Sequence, residues 1–129
     1  MGHFKAARQT CHSTGSIEAF IIMKEWITNC IMSHGHKGIE SNSLLPTRLL
    51  DLGRPDQQSN IALVETSGER GCYVALSHRW GGSQPLNTTR KNLSAMKECI
   101  HIEELSLTLR EAIAVTRALG LRYIWCDTL

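Results

Sequence analysis

Cys72-Tyr73-Val74-Ala75-Leu76-Ser77 and Leu121-Arg122-Tyr123-Ile124-Trp125-Cys126-Asp127 bracket the part of the sequence that decides the fold. The first is an uninterrupted apolar run of the kind that forms a strand buried on both faces, which predicts a central strand. Between the two lies Leu109 to Leu119, where Leu109, Ala112, Ile113, Thr116 and Leu119 recur on one helical face. Thr108 and Glu111 fit the Thr-x-x-Glu capping box and Gly120 fits a C-terminal stop, so both ends of this helix are marked. A shorter helix is expected within Thr88 to Cys99, on the spacing of Leu93, Met96 and Ile100. Strand, loop, helix and strand in that order favour parallel neighbours joined by a right-handed crossover. The C-terminal half is therefore expected to be α/β.

Upstream of this unit, Arg48 to Leu52 and Ile61 to Glu65 are short apolar runs separated by a polar segment that begins Gly53-Arg54-Pro55-Asp56. They read as two strands of an antiparallel hairpin. The segment His34 to Ser43 has loop composition and makes the best internal boundary. Before it, residues 17–32 carry Ile17, Phe20, Ile21, Ile27 and Ile31 at helical spacing. The apolar face of this helix is wide; it could dock on a partner chain, and packing on the hairpin is its simpler use. Residues 1 to 14 have no period. The organisation expected is a lead over 1–43, a hairpin segment over 44–71 and an α/β segment over 72–129.

Charge and composition narrow the class. The 129 residues include 14 Lys+Arg and 12 Asp+Glu, a formal net charge of +2, with 42% hydrophobic residues, as suits one globular core. Clustered cations for nucleic acid are missing, the longest basic run being Arg90-Lys91. No membrane span is expected, because Glu18, Lys24 and Glu25 interrupt the most apolar stretch, Ile17 to Met32. Five cysteines without close pairs, and no signal peptide, point to a reducing, cytoplasmic setting.

Several residues carry candidate chemistry. In open α/β sheets ligands bind outside the carboxyl ends of strands, which marks Ser77, His78, Trp80, Gly81 and Gly82 as a ligand-binding candidate. Gly81 and Gly82 would let backbone N–H groups approach an anion; alternatively the glycines serve a turn and Trp80 anchors packing. Asp127 ends the second strand on the same sheet edge, to meet a ligand or to cap the following turn. Cys30, His34 and His36 are three candidate metal ligands, but a closed zinc site needs four with paired spacing, so no metal is expected.

Tyr73-Val-Ala-Leu-Ser-His-Arg-Trp-Gly81 and Leu119-Gly-Leu-Arg-Tyr-Ile-Trp-Cys-Asp-Thr-Leu129 resemble the fungal heterokaryon-incompatibility (HET) domain. Within these and the intervening helix, the residues that match the family motif are Tyr73, Ala75, Leu76, Ser77, Trp80, Gly81, Thr108, Ala112, Arg117, Gly120, Tyr123, Trp125 and Asp127. Leu45-Pro46-Thr47-Arg48-Leu49-Leu50-Asp51 is similar to a segment found before that domain. The chain departs from the pattern at Arg79, at Lys37 and at Ser106, where proline is typical.

The resemblance implies a TIR/flavodoxin-like parallel sheet preceded by a helix and a β-hairpin. The family motif runs on past Leu129, so the resemblance implies the first half of a domain, with the Leu121 to Trp125 strand short of one neighbour. It further implies a cytoplasmic signalling module in fungal non-self recognition and programmed cell death that binds protein partners or itself, without a cofactor. A second implication comes through the distant similarity to TIR domains, some of which cleave NAD. NAD would then be the substrate, and the catalytic glutamate would lie beyond Leu129. A third is a truncated product without independent function.

Overall fold

The computed structural model describes residues 10–34, 43–54, 60–79 and 87–129. Among these residues eight elements follow in chain order: α1 (Ile17–His34), β1 (Arg48–Asp51), β2 (Ala62–Glu65), β3 (Val74–Leu76), α2 (Leu93–Glu98), a 3-10 turn (Ile102–Glu104), α3 (Leu107–Ala118) and β4 (Tyr123–Cys126). The four strands form one sheet in the order β2-β1-β4-β3. The expected α/β class holds. β3 and β4 are parallel, with Val74, Ala75 and Leu76 opposite Ile124, Trp125 and Cys126.

The hairpin is part of the same sheet. β1 pairs antiparallel with β2 on one side and with β4 on the other, where Leu50 faces Ile124 and Asp51 faces Tyr123. The sheet is therefore mixed, and two expectations are corrected. β4 has a neighbour on each side, because β1 occupies the edge that was expected to be vacant. β3 lies at an edge among the described residues instead of at the centre, with Ala75 exposed and Val74 and Leu76 half-buried. An apolar run reports that a strand meets a core; it does not report how many strands flank it.

One face of the sheet carries the core. Leu50, Leu52, Leu63, Ile124 and Cys126 pack with Met96 of α2, Leu109 and Ile113 of α3, and Ile100 and Leu105 from the connection between those helices. Alternation along each strand puts these side chains inward. Ile61 is tied to Ile100 by an isolated bridge, the Ile100 N–H donating to the Ile61 carbonyl at 2.7 Å. Before the hairpin, Ser43 to Thr47 runs beside Thr66 to Gly71. The N–H groups of Leu45, Thr66 and Gly71 donate to the carbonyls of Glu69, Thr47 and Ser43, each at 2.9 Å.

The ends of α3 follow from local chemistry. Gly120 has φ +77, its N–H donates to Arg117, and the Leu121 N–H reaches back to Thr116 at 3.1 Å. These two bonds close a Schellman motif that needs a residue able to adopt positive φ. At the other end the N-cap is Ser106, whose Oγ accepts from the Leu109 N–H at 3.3 Å, and not Thr108 as the capping box suggested. Buried Leu105 fixes where the chain leaves the core, and the first turn starts directly after it. Ser106→Ala is expected to lower unfolding free energy by about 1 kcal/mol, and Thr108→Ala by less than about 0.5 kcal/mol, in urea titrations.

α1 starts at a Ser16 cap whose Oγ accepts from the Ala19 N–H at 3.2 Å. It extends to His34, two residues past the expected end at Met32, and its apolar face is not packed on the hairpin. Only Ala19 is buried, while Ile17, Ile21 and Met32 are 75%, 53% and 79% exposed. Among the described residues no helix is long and apolar enough to cross a membrane.

Candidate functional site

The parallel register of β3 and β4 brings two of the expected site residues to one end of the sheet. Leu76 pairs with Cys126, so Ser77 and Asp127 are the next residue on each strand, and both are exposed. The Thr88 N–H donates to the Thr128 carbonyl at 3.0 Å, which ties the chain entering α2 to the end of β4. His78 follows Ser77 and is half-buried. Its Nδ1 is enclosed without a hydrogen-bond partner. Trp80, Gly81 and Gly82 lie outside the described residues, as do His36 and Lys37. Among the described residues no three His, Cys, Asp or Glu side chains converge as metal ligands.

Cys126 closes the floor of this end. Burial pushes its thiol pKa up, and its Sγ lies 3.2 Å from the Thr128 hydroxyl. A thiol held protonated in this way is a packing group, since the thiolate is the nucleophile.

Other motif residues serve the architecture. Leu76 and Ala112 pack against the core. Arg117 donates from Nη2 to the Leu52 carbonyl at 3.3 Å, joining α3 to the end of β1. Tyr123 lies under the Arg122 guanidinium, 5.2 Å from Cζ to the ring centroid. Tyr73 is half-buried just before β3, and Thr108 is exposed in the first turn of α3.

Two features had no counterpart in the sequence reading. The first is the Asp51–Arg122 pair: Nε and Nη2 each donate at 2.7 Å to the two carboxylate oxygens, and Asp51 Oδ1 also accepts from the Gly53 N–H at 2.9 Å. The Arg122 guanidinium holds the Asp51 carboxyl below its ordinary range, against the opposing effect of burial. The second is a groove of about 560 Å³ at the carboxyl end of β4, walled by Trp125 and by Thr47, Arg48, Glu65, Thr66 and Ser67. Leu129 borders it. Because β1 is antiparallel to β4 and to β2, the start of β1 and the end of β2 arrive at the same sheet end as Ser77 and Asp127.

Charge in the groove is arranged around Glu65. Lys97 Nζ lies 2.5 Å from Oε2 and Arg48 Nε 3.5 Å from Oε1, and these cations, Lys97 first, lower the Glu65 pKa. The rim at Ser67 is shaped by a turn in which Gly68 has φ +95 and the Ser67 N–H donates to the Glu69 carboxylate.

These residues define a small α/β domain protein whose polar groups gather at one end of a mixed sheet. Residues 73–129 match the family described as heterokaryon incompatibility protein (HET), so that segment of the chain is similar to this family. No curated protein and no solved structure matches the chain.

Proposed function

We propose that the chain is a signalling module of the heterokaryon-incompatibility type, working in the cytoplasm in fungal non-self recognition and programmed cell death through self-association or partner binding. The match of residues 73–129 to the HET family supports this reading. The observation that supports association is the exposed side of α1. At 100° per residue, Ile17, Ile21 and Met32 fall within about 60° of one another, and all three stand in water. Trp26 and Ile27 are exposed on other sides of the same helix, so α1 as a whole leaves apolar surface uncovered, as a segment that meets a protein partner does.

The test is light scattering of the full chain over a concentration series, repeated with Ile21→Glu and Met32→Glu. A charge placed in an apolar contact is expected to weaken association by at least about tenfold, a cost of about 1.4 kcal/mol. Loss of killing when the same variants are expressed in fungal cells would join association to signalling. Unchanged association and unchanged killing would overturn the proposal.

A second reading, NAD cleavage, draws on Ser77 and Asp127 sharing one sheet end. Because that reading puts the catalytic glutamate beyond Leu129, the test incubates with NAD a version extended by the family's downstream segment, with and without the α1 changes, and assays nicotinamide. Release that persists in the α1 variants favours chemistry, and absence of release alongside killing favours assembly.

A further inference from the structure

The groove at the end of β4 differs in character from two other hollows among the described residues. One of these, beside α1, is apolar and framed by Ala19, Ile22, Met23 and Trp26; the other is a smaller space of about 250 Å³ between Ile61 and His101. The groove is the largest of the three and falls within the range of small-ligand sites, about 300–1,000 Å³. We propose that it binds a neutral, hydroxyl-rich ring ligand, of the saccharide class, with one ring face against the Trp125 indole and its hydroxyls on the polar rim.

The argument starts from what the walls offer. Trp125 is half-buried and presents the one aromatic surface of the groove among the described residues. An indole gives a flat apolar platform suited to the C–H face of a sugar ring. Around it stand hydroxyls from Thr47, Thr66 and Ser67. Thr66 Oγ1 donates its proton to the Pro46 carbonyl at 2.5 Å, which leaves its lone pairs to accept. Thr47 and Ser67 are exposed and can donate or accept.

Charge selects against an anion. Among the described residues Arg48 is the only cation lining the groove, and it already faces Glu65, which lines the groove too. An entering carboxylate or phosphate would meet the Glu65 carboxylate, held ionised chiefly by Lys97. A vicinal diol has no such conflict. One hydroxyl can accept from the Arg48 guanidinium while its neighbour donates to Glu65, so the ion pair is bridged without being broken. The groove is open, so it covers less of a ligand than an enclosed pocket and the affinity is modest, on the order of 1 mM.

The test is amide NMR of the full nitrogen-labelled chain titrated with four neutral oligosaccharides: maltotriose, cellotriose, mannotriose and triacetylchitotriose. Saturable shifts are expected at the amides of Thr47, Thr66 and Ser67 and at the Trp125 indole N–H with at least one of them. Trp125→Leu is expected to abolish them. Because that change touches β4, Thr47→Ala and Ser67→Ala provide exposed alternatives, each expected to weaken binding about threefold to tenfold, as loss of one hydrogen bond does. The proposal is overturned if none of the four gives saturable shifts up to about 20 mM, well above millimolar affinity. It is also overturned if both hydroxyl variants bind as the parent does, or if sodium phosphate produces the same shifts at lower concentration. Since α1 has no part in the groove, Ile21→Glu is expected to bind normally, which separates this site from the association surface.

Discussion

Replacing Ile124 with alanine is expected to lower the unfolding free energy by about 3–4 kcal/mol, within the usual range for removing a large aliphatic side chain from a core. Ile124 is fully buried and stands at the crossing of the fold: Leu50 of β1 faces it on one side and Val74 of β3 on the other. Helix α3 lies over the same core through Ile113 and Leu109. A cavity here cannot be closed by a shift of one element, because two hydrogen-bonded neighbours hold β4 in place. With total stabilities of about 5–15 kcal/mol for domains in general, such a loss removes a large share. In urea the midpoint should fall by about 1.5–2 M at a slope of roughly 2 kcal/mol/M. Exposed Leu44, replaced by alanine, should change stability by less than about 0.5 kcal/mol. A cost below about 1 kcal/mol for Ile124→Ala would mean that β4 is not the inner strand of this sheet.

The same position shows how far the chain could be read without coordinates. Apolar periodicity placed α1, the hairpin, β3, α3 and β4, because each of these elements turns a regular set of side chains toward a core and regularity is visible locally. What it could not place was order across the sheet. β1 joins β4 through Leu50 and Asp51, residues whose partners Ile124 and Tyr123 are far along the chain, and no local pattern specifies that pairing. The error at the start of α3 has a different cause. Thr108 and Glu111 have the right spacing for a capping box, but Ser106 also has a capping side chain, and the burial of Leu105 decides between them.

Of the expected site, the placement of Ser77 and Asp127 at a common end followed from strand direction alone. The groove did not, because Thr47 and Arg48, Glu65 to Ser67, and Trp125 meet only once β1, β2 and β4 are in register. Thr47 and Arg48 stood within a family-like segment, Leu45 to Asp51, and its polar pair at the start of a strand was the available signal. Likewise α1 was expected to end at Met32 and runs to His34, and of the two uses open to it the hairpin is not the one seen, since an apolar face predicts contact without naming what it contacts.

Asp51→Ala is expected to cost about 1–2 kcal/mol at neutral pH, less than an enclosed ion pair would, because Arg122 is half-exposed and solvent screens it. The carboxylate accepts three hydrogen bonds, two from Arg122 and one from the Gly53 N–H. It thereby fixes the turn after β1, where Gly53 has φ +78, to the residue just before β4. The Leu52 N–H to Arg122 carbonyl bond at 2.9 Å runs alongside, so the junction joins hairpin to parallel unit by backbone as well. Because the folded pKa of Asp51 lies below its unfolded value, the native state favours the ionised form. The stabilisation is therefore complete above the unfolded pKa, about 3.9, and is lost as pH falls through the lower folded value. The parent and Asp51→Asn should differ most in Tm near neutrality and converge as pH drops below about 4. The amide side chain of that variant keeps an oxygen for the Gly53 N–H, so the pH-dependent part isolates the charge. A double-mutant cycle with Arg122→Gln should return a coupling of about 1 kcal/mol that fades over the same acid range. Coupling near zero at every pH would instead assign the stabilisation to the backbone bonds of the junction and leave the ion pair as a surface contact of little weight.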